Sequence, residues 1–414
     1  MLTAIIKLAV IAFRSLFVLV ALYSLPVEST GAFGLALTLM GFYTFAVGYE
    51  RYGDLQRRLV GAGPEQADRL IVTTLRFYLR NHLLALPVFL GLLAFWVALP
   101  WPLVAAFAVI AVVEHASLEA YRITLIAPRY LHMLMVVVVK DALVLALAVA
   151  ALLRDRSAFD LERVVLIWCA CSAVGLAAMT VALVRNWTFA SWAAVTGAGL
   201  TALDQYRASA THFLVGLVAL AALQVDRLVV GALLTLAEAG VYFRHAFVAS
   251  FVYQLFNVLS YNRLVPTVYA AVQGGRPSLA RRTLRREQWI LAAICIPLLA
   301  ASGAVWWAAS LDLIELRGVE PGLLLLLVAG YALRAMADFR AMMLHASMRE
   351  RLVFHSQCLA LAAAVMLYLV LGAFLGLPGI AIGLILASTV FLVLLSRHVR
   401  RSTDLRVDAE VTRV

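Results

Sequence analysis

The chain has 414 residues, of which 64% are hydrophobic and 14% charged, and its formal net charge is +11. Soluble domains carry about 25% charged residues, so this composition excludes a soluble protein. The chain also lacks the short segments of alternating polarity that are typical of a transmembrane barrel. The sequence therefore predicts an all-α, polytopic membrane protein.

Twelve apolar segments follow one another along the chain. Each is long enough to cross a hydrocarbon core about 30 Å thick. The first is too long for the apolar region of a signal peptide, and we expect it to stay as a helix. The segments are 2–24, 31–49, 70–98, 103–121, 130–152, 164–184, 208–235, 240–262, 289–310, 322–344, 353–375 and 378–396.

Basic residues are distributed unevenly over the connections between these segments. Of the 34 lysines and arginines, 21 lie on every second connection or on the tail, 4 lie on the other connections, and 9 lie within the segments. Cytoplasmic loops are enriched in lysine and arginine. The pattern therefore places both termini in the cytoplasm, and in a bacterium we expect the inner membrane.

The spans divide into two sets of six. We predict an N-terminal lobe at 1–184, a cytoplasmic interfacial linker at 185–207, a C-terminal lobe at 208–397 and a basic cytoplasmic tail at 398–414. The external turn and the start of the second span read LPVESTGAFGLAL, and those of the eighth read LTLAEAGVYFRHA. Each has an acidic residue, a glycine and then an aromatic residue, which favours parallel repeats of the kind found in transporters.

Several kinds of site are not predicted. There is no G-x-x-x-x-G-K-[ST] loop, and none of the predicted external connections exceeds about eleven residues. Cys169 and Cys171 are two residues apart on a helix and cannot easily bind one metal ion. We expect no cofactor, no metal site and no nucleic-acid partner. Because no nucleotide-binding loop is evident, energy for transport would come from an ion gradient or from the substrate's own gradient.

Ionisable residues inside the predicted spans carry the functional hypothesis. A charge at the centre of a bilayer costs about 2.5–3.5 kcal/mol on insertion scales, so such residues should face one another or a wet cavity. Arg14 lies midway along the first span, and Lys140 and Asp141 interrupt the fifth. Neighbours on a helix diverge by about 100°, so we expect Lys140 and Asp141 to bind different partners rather than each other.

Two further spans carry polar residues at helical spacing. On the fourth span, Glu114, His115, Glu119 and Arg122 fall on one face, where Glu119 and Arg122 can pair. On the tenth, Arg334 and Asp338 are one turn apart and can pair. Such pairs either hold helices together or line a pathway, and the sequence leaves both readings open.

These residues suggest a cavity that attracts an anion. Arginine is suited to binding phosphate and carboxylate groups. The candidate substrate-binding residues are Arg14, Lys140, Arg227 and Arg334. The candidates for coupling to a proton or Na⁺ are Asp141, Glu114, His115, Asp226 and Asp338.

A basic stretch, RPSLARRTLRRE, precedes the ninth span. On a helix its arginines form one face that could contact anionic lipid headgroups, or they could serve only as a signal for topology. The four residues are Arg281, Arg282, Arg285 and Arg286.

At Arg14, at Pro26–Gly34 (PVESTGAFG) and at Asp226–Tyr242 (DRLVVGALLTLAEAGVY), the chain resembles a known family. These segments are similar to the lipid-linked oligosaccharide flippases, of the O-antigen type, in the multidrug/oligosaccharidyl-lipid/polysaccharide exporter superfamily. Pro266 and the basic loop after it are also similar. Arg14 matches the family's first-span arginine and Asp226 its seventh-span aspartate.

The resemblance implies two six-helix lobes in a V shape and a central, often cationic cavity. By alternating access, an undecaprenyl-pyrophosphate oligosaccharide would pass across the inner membrane for synthesis of a surface polysaccharide such as O-antigen, capsule or exopolysaccharide. A polysaccharide polymerase and glycosyltransferases would be its partners. The alternatives are an ion-coupled drug or small-molecule exporter of the same superfamily and, more remotely, a membrane glycan polymerase or ligase.

Overall fold

The computed structural model describes residues 2–59, 62–126, 131–186, 202–256, 262–310 and 320–411. Within these ranges all regular elements are helices. They are α1 (Leu2–Ser24), α2 (Val27–Gly48), α3 (Arg51–Leu59), α4 (Pro64–Phe95), α5 (Trp101–Ile126), α6 (Leu131–Arg154), α7 (Leu161–Asn186), α8 (Ala202–Leu233), α9 (Leu236–Phe256), α10 (Asn262–Gln273), α11 (Pro277–Ser310), α12 (Pro321–Ala346) and α13 (Glu350–Val411).

The helices confirm the predicted membrane protein. Each of the twelve predicted spans coincides over most of its length with one of these helices. In the part of the chain that the structure describes, eight helical stretches are long and apolar enough to cross a membrane. Two short helices, α3 and α10, lie on predicted connections and were not predicted.

The eleventh and twelfth predicted spans both lie within α13, and the helix is interrupted at Gly376. This residue has φ 62° and ψ −139°, a conformation that glycine adopts most readily. Beyond the break the chain folds back closely, since a Cβ added to Gly379 would lie 2.0 Å from the Leu371 carbonyl oxygen. Gly376 therefore turns the chain between two antiparallel spans, where the sequence predicts a two-residue connection.

The chain divides into two compact units, unit 1 (Met1–Leu217) and unit 2 (Val218–Val414). The division falls within α8. Most of the predicted linker, residues 187–201, lies outside the described residues. The predicted lobe and linker boundaries therefore stay a prediction.

Aromatic side chains explain why the first half of α8 belongs to unit 1. The Phe213 ring stacks on Tyr49, with the ring centroids 4.1 Å apart, and on Phe45 at 5.4 Å. Two turns earlier, Tyr206 packs against Phe77 and donates a hydrogen bond to Asn81. These contacts attach α8 to α2 and α4.

The two similar sequence segments each begin a helix. At the start of α9, the Glu238 carboxylate accepts hydrogen bonds from the backbone N–H and hydroxyl of Thr235, at 2.9 and 2.8 Å. The Glu238 N–H in turn donates to the Thr235 hydroxyl at 3.2 Å. This reciprocal arrangement caps the helix N-terminus. At the start of α2, Glu28 occupies the first turn after Pro26.

Candidate functional site

A buried carboxylate, Glu114 of α5, is the centre of the charged residues in unit 1. Its Oε1 accepts hydrogen bonds from Lys140 Nζ at 2.6 Å and from Trp168 Nε1 at 3.2 Å. Its Oε2 lies 2.9 Å from Arg14 Nη1. Lys140 Nζ also lies 2.9 Å from Asp141 Oδ1. We call Arg14, Glu114, Lys140 and Asp141 the charged quartet.

Burial differs sharply within the charged quartet. The side chains of Lys140, Glu114 and Asp141 are 1%, 3% and 6% exposed, whereas that of Arg14 is 43% exposed. Two positive and two negative charges sum to zero, which lowers the cost of placing them in an apolar bundle. Arg14 is thus the one member through which the quartet can meet a molecule from outside unit 1.

Packing around the charged quartet fixes its members in place. The Trp168 ring that binds Glu114 packs edge-on against Phe17, Phe33 and Phe107. Gly175 of α7 provides room for the Lys140 stem, since a Cβ there would lie 3.0 Å from Lys140 Cδ. The lysine is therefore held by close packing as well as by charge.

The expectation that Lys140 and Asp141 do not pair is wrong. The 100° divergence describes Cα–Cβ directions, but the four-carbon stem of lysine lets Nζ bend back to the neighbouring carboxylate while it still reaches Glu114. The predicted single polar face of α5 is also divided. Glu114 contacts α1, α6 and α7, whereas His115 contacts two rings of α4.

A second polar group in unit 1 joins α2, α4 and α5. The Tyr43 hydroxyl is hydrogen-bonded to His82 Nδ1. The His82 ring lies 5.0 Å from His115, and the Tyr78 ring lies 4.8 Å from His115 on another side. His82 is an ionisable residue inside a predicted span, so the rule that identified His115 could have found it.

The predicted pairing of Glu119 with Arg122 is confirmed, at 2.8 Å between Oε1 and Nη1. The other Glu119 oxygen accepts a hydrogen bond from Tyr78 at 2.6 Å. Arg122 also lies over the Tyr52 ring, 5.1 Å from its centroid. This pair holds α3, α4 and α5 together, which favours the structural reading for it.

Beside this group lies a mainly apolar cavity of about 240 Å³. Its polar lining includes His82, His115 and Glu119. The apolar lining includes Leu75, Leu79, Val112, Ala116, Met133 and Leu176.

In unit 2, Asp226 of α8 is buried at 2% exposure. Its Oδ2 accepts a hydrogen bond from the Tyr242 hydroxyl at 2.6 Å. The neighbouring Arg227 donates to Gln224 at 3.1 Å and lies beside Tyr331. Tyr242 is the aromatic residue of the second similar segment, so this segment attaches the start of α9 to the preceding span.

The predicted Arg334–Asp338 pair of α12 is confirmed, with 3.6 Å between Nε and Oδ1. Asp338 also accepts a hydrogen bond from Tyr253. The Arg334 guanidinium lies 4.6 Å from the centroid of the Phe391 ring. The residue is 6% exposed, so this charge lies inside unit 2, and its Nε makes no hydrogen bond to the described residues.

The structure thus brings the predicted site residues into four groups: the charged quartet, Asp226 with Arg227, Arg334 with Asp338, and His115 beside the rings of α4. The sequence did not reveal Trp168, because a tryptophan inside a span usually contributes packing alone. Tyr242 was noted as an aromatic residue, but its hydrogen bond to Asp226 was not predicted.

The basic stretch forms the first turns of α11. Its four arginines are all exposed on this helix, and Trp289, one turn later, is 71% exposed. Arg285 and Arg400 also lie near Arg340 of α12. The predicted helical basic face is present.

Comparison with known proteins gives structural neighbours but no sequence relative. No family profile matches the chain, and neither does any curated protein sequence. A multidrug resistance MATE family transporter of the MOP superfamily, in an inward-facing conformation, is 15% identical with a TM-score of 0.66, over 95% of both chains.

Two further solved structures are similar in fold to this chain. Lipid II flippase MurJ, in an inward closed conformation, is 12% identical with a TM-score of 0.68, over 96% of this chain and 87% of that one. The Vibrio cholerae MATE transporter VcmN is 14% identical with a TM-score of 0.57, over 96% and 98%. The chain therefore has the fold of the exporter superfamily that its motifs resemble.

Proposed function

We propose that this multi-pass membrane protein is a flippase that moves an anionic lipid-linked saccharide across a bacterial inner membrane. The substrate class is an undecaprenyl-pyrophosphate oligosaccharide destined for O-antigen, capsule or exopolysaccharide. The fold supports a transporter or flippase. The observation that carries the choice of substrate is the exposed, deep arginine of the charged quartet, Arg14.

The charges of unit 1 favour an anion over a cationic drug. Glu114 and Asp141 are buried and bound to cations, while Arg14 keeps 43% of its side chain exposed. A pyrophosphate would meet a guanidinium fork, which binds such groups with two parallel hydrogen bonds. A cationic molecule would meet a like charge at the same place.

The other predicted residues enter the proposal with different roles. Lys140 holds Glu114 and supports Arg14 from behind rather than binding substrate directly. In unit 2, Arg227 and Arg334 remain candidates for substrate, although both already have partners. Glu114, Asp141, His115, Asp226 and Asp338 remain the candidates for coupling to a proton or Na⁺.

The second candidate function is a drug exporter. It is supported by the MATE transporters among the structural neighbours, because the TM-scores of 0.66 and 0.68 do not separate the two classes. An enzyme that polymerises or ligates glycans is the remote alternative. If the chain is a flippase, the polymerase and the glycosyltransferases that we expect as its partners would be separate proteins.

The test is transport by purified protein in liposomes. A fluorescent undecaprenyl-pyrophosphate glycan is placed in both leaflets and bleached from outside, and a cationic dye is tested in parallel. We expect bleaching of the glycan lipid beyond one half and no dye accumulation. Dye accumulation without lipid movement would favour the drug exporter, and elongated or transferred glycan would favour an enzyme.

Variants at Arg14 make this test specific. Arg14→Ala should abolish lipid movement while leaving the amount of folded protein unchanged, and Arg14→Lys should retain part of it. Arg154→Ala, an exposed arginine at the end of α6, is the matched control and should transport normally. Normal transport by Arg14→Ala would refute the role of the arginine. Rates that do not change with an imposed pH or Na⁺ gradient would refute ion coupling.

A further inference from the structure

The two oxygens of Glu114 have different environments. Oε1 accepts two hydrogen bonds, from the buried Lys140 and from Trp168. Oε2 lies 2.9 Å from Arg14 Nη1, yet no group in the described part of the chain directs a well-aligned hydrogen bond at it. The contact between Arg14 and Glu114 is therefore an attraction between charges rather than an aligned hydrogen bond.

This geometry leaves Arg14 free to change partner. Its side chain is 43% exposed, whereas the ammonium and the indole that hold Oε1 are buried. A partly exposed ion pair is worth about 1 kcal/mol or less. A diphosphate carries more negative charge than one carboxylate and accepts a bidentate guanidinium contact, so it can compete successfully for Arg14.

We propose that Glu114 and the substrate's diphosphate compete for Arg14, and that release of Arg14 makes the buried remainder of the charged quartet take up one proton. The inference rests on the proposed function, since it concerns the same anionic substrate. It assigns Glu114 as a positioning residue, which acts on the substrate through Arg14.

The charge balance gives the number of protons. With Arg14 in place the quartet is neutral. When Arg14 binds the diphosphate, Lys140, Glu114 and Asp141 remain with a net charge of −1 in an apolar environment. An unbalanced buried charge is costly, and one proton on the carboxylate pair restores neutrality. The two carboxylates are bridged by one ammonium, so the proton belongs to the pair.

No other charged group among the described residues is positioned to compensate. The charges that act on Glu114 and Asp141 come from the quartet itself. From α5, the neighbouring His115 packs against rings of α4. From α7, Cys171 near Lys140 is an uncharged thiol, and α2 contributes the apolar Phe33 beside Trp168.

Proton binding and diphosphate binding are linked, so each should strengthen the other. The diphosphate should therefore bind more tightly as the pH falls, and its binding should draw protons from solution. The experiment is calorimetric titration of the full-length protein in detergent with undecaprenyl pyrophosphate, in two buffers of different ionisation enthalpy. We expect wild-type protein to take up about one proton more per bound lipid than Glu114→Gln. The protons of the lipid itself cancel in this difference.

Glu114→Gln also gives a readout that a purely structural role would not give. The neutral glutamine cannot hold Arg14 by charge, so we expect this variant to bind the lipid up to about fivefold more tightly, the equivalent of one partly exposed ion pair. Asp141→Asn keeps the Arg14–Glu114 pair but leaves a neutral remainder. It should lose the proton uptake without the gain in affinity.

The outcomes separate the two proposals. If wild-type protein binds the lipid but takes up no more protons per bound lipid than the two variants, this inference is overturned. The flippase proposal would still stand. Weaker binding by Glu114→Gln in folded protein would also overturn it. If Glu114→Gln does not fold, Asp141→Asn decides, and equal proton uptake by that variant and wild type overturns the inference. Absence of binding by wild-type protein at every pH would refute the proposed function itself.

Discussion

Lys140 of α6 bridges two carboxylates, with its Nζ 2.6 Å from Glu114 Oε1 and 2.9 Å from Asp141 Oδ1. The bridge gives two buried acidic residues the same buried cation as a partner, which lowers the cost of placing their charges in an apolar bundle. Lys140 and Arg14 thus contact different oxygens of the same Glu114 carboxylate.

Removal of this cation should destabilise the protein. Lys140→Met preserves the length of the stem but leaves Arg14 as the one cation of the charged quartet beside Glu114 and Asp141. Loss of one partner of a buried ion pair costs about 3–5 kcal/mol. We expect a clear fall in the thermal unfolding midpoint, which is measured by tryptophan fluorescence in detergent.

The matched control for this variant lies on the same helix. Arg154→Met removes an exposed cation from the last turn of α6 and should leave the midpoint unchanged. Equal midpoints for Lys140→Met and wild type would contradict the assigned role of the bridge.

Gly175→Ala tests the packing of the lysine stem. A Cβ at this position would lie 3.0 Å from Lys140 Cδ and 3.1 Å from Cγ, which is tighter than ordinary contact. Overpacking of this kind costs about 1–3 kcal/mol. Gly91→Ala, where no described atom lies within 4 Å, is the control, and alanine there should be neutral or stabilising. The same change in unfolding midpoint for both variants would show that Lys140 is not constrained by α7.

Thr235→Ala tests the cap of α9. The threonine hydroxyl accepts from the Glu238 N–H and donates to the Glu238 carboxylate. Loss of such a cap costs about 0.5–2 kcal/mol. The unfolding midpoint should fall for Thr235→Ala and change little for Glu238→Gln, since glutamine also completes this motif. Thr389→Ala, an exposed threonine bonded to its own helix, is the control, and an equal effect there would exclude a capping role.

Trp289 can report on the basic face of α11. It lies one turn after Arg286 and is 71% exposed. If the four arginines attract anionic headgroups, at about 1 kcal/mol per residue near the surface, brominated anionic lipid should quench Trp289 more than brominated zwitterionic lipid. The Trp289 signal is obtained as the difference from Trp289→Phe. Replacing all four arginines with glutamine should remove this preference, and its persistence would leave only the topological role.

The helices could be predicted because a membrane imposes a minimum length of apolar sequence, which the twelve segments meet. The pairs Glu119–Arg122 and Arg334–Asp338 were predictable for a similar reason, since helical spacing alone brings them together. The superfamily fold was likewise indicated by a few motif residues.

Contacts between helices were harder to predict from the sequence. That Glu114 is the common partner of Arg14 and Lys140 depends on which helices are neighbours, and spacing along one helix contains no such information. The Lys140–Asp141 contact was missed because a Cβ direction does not describe a long, flexible side chain. The helices α3 and α10 were missed because they are short and lie on polar connections.

The turn at Gly376 determines where this protein can be labelled or extended. With a single non-helical residue between two spans, and Gly379 against the Leu371 carbonyl, an inserted tag would force the two helices apart. In the exposed turn at Asp155–Ala158 on the same predicted face, the Asp155 carboxylate accepts hydrogen bonds from Ser157 and Ala158 of the same turn. Accessibility labelling, protease sites and epitope insertions intended to report on the outer surface therefore belong in that turn, and the Gly376 hairpin should remain intact.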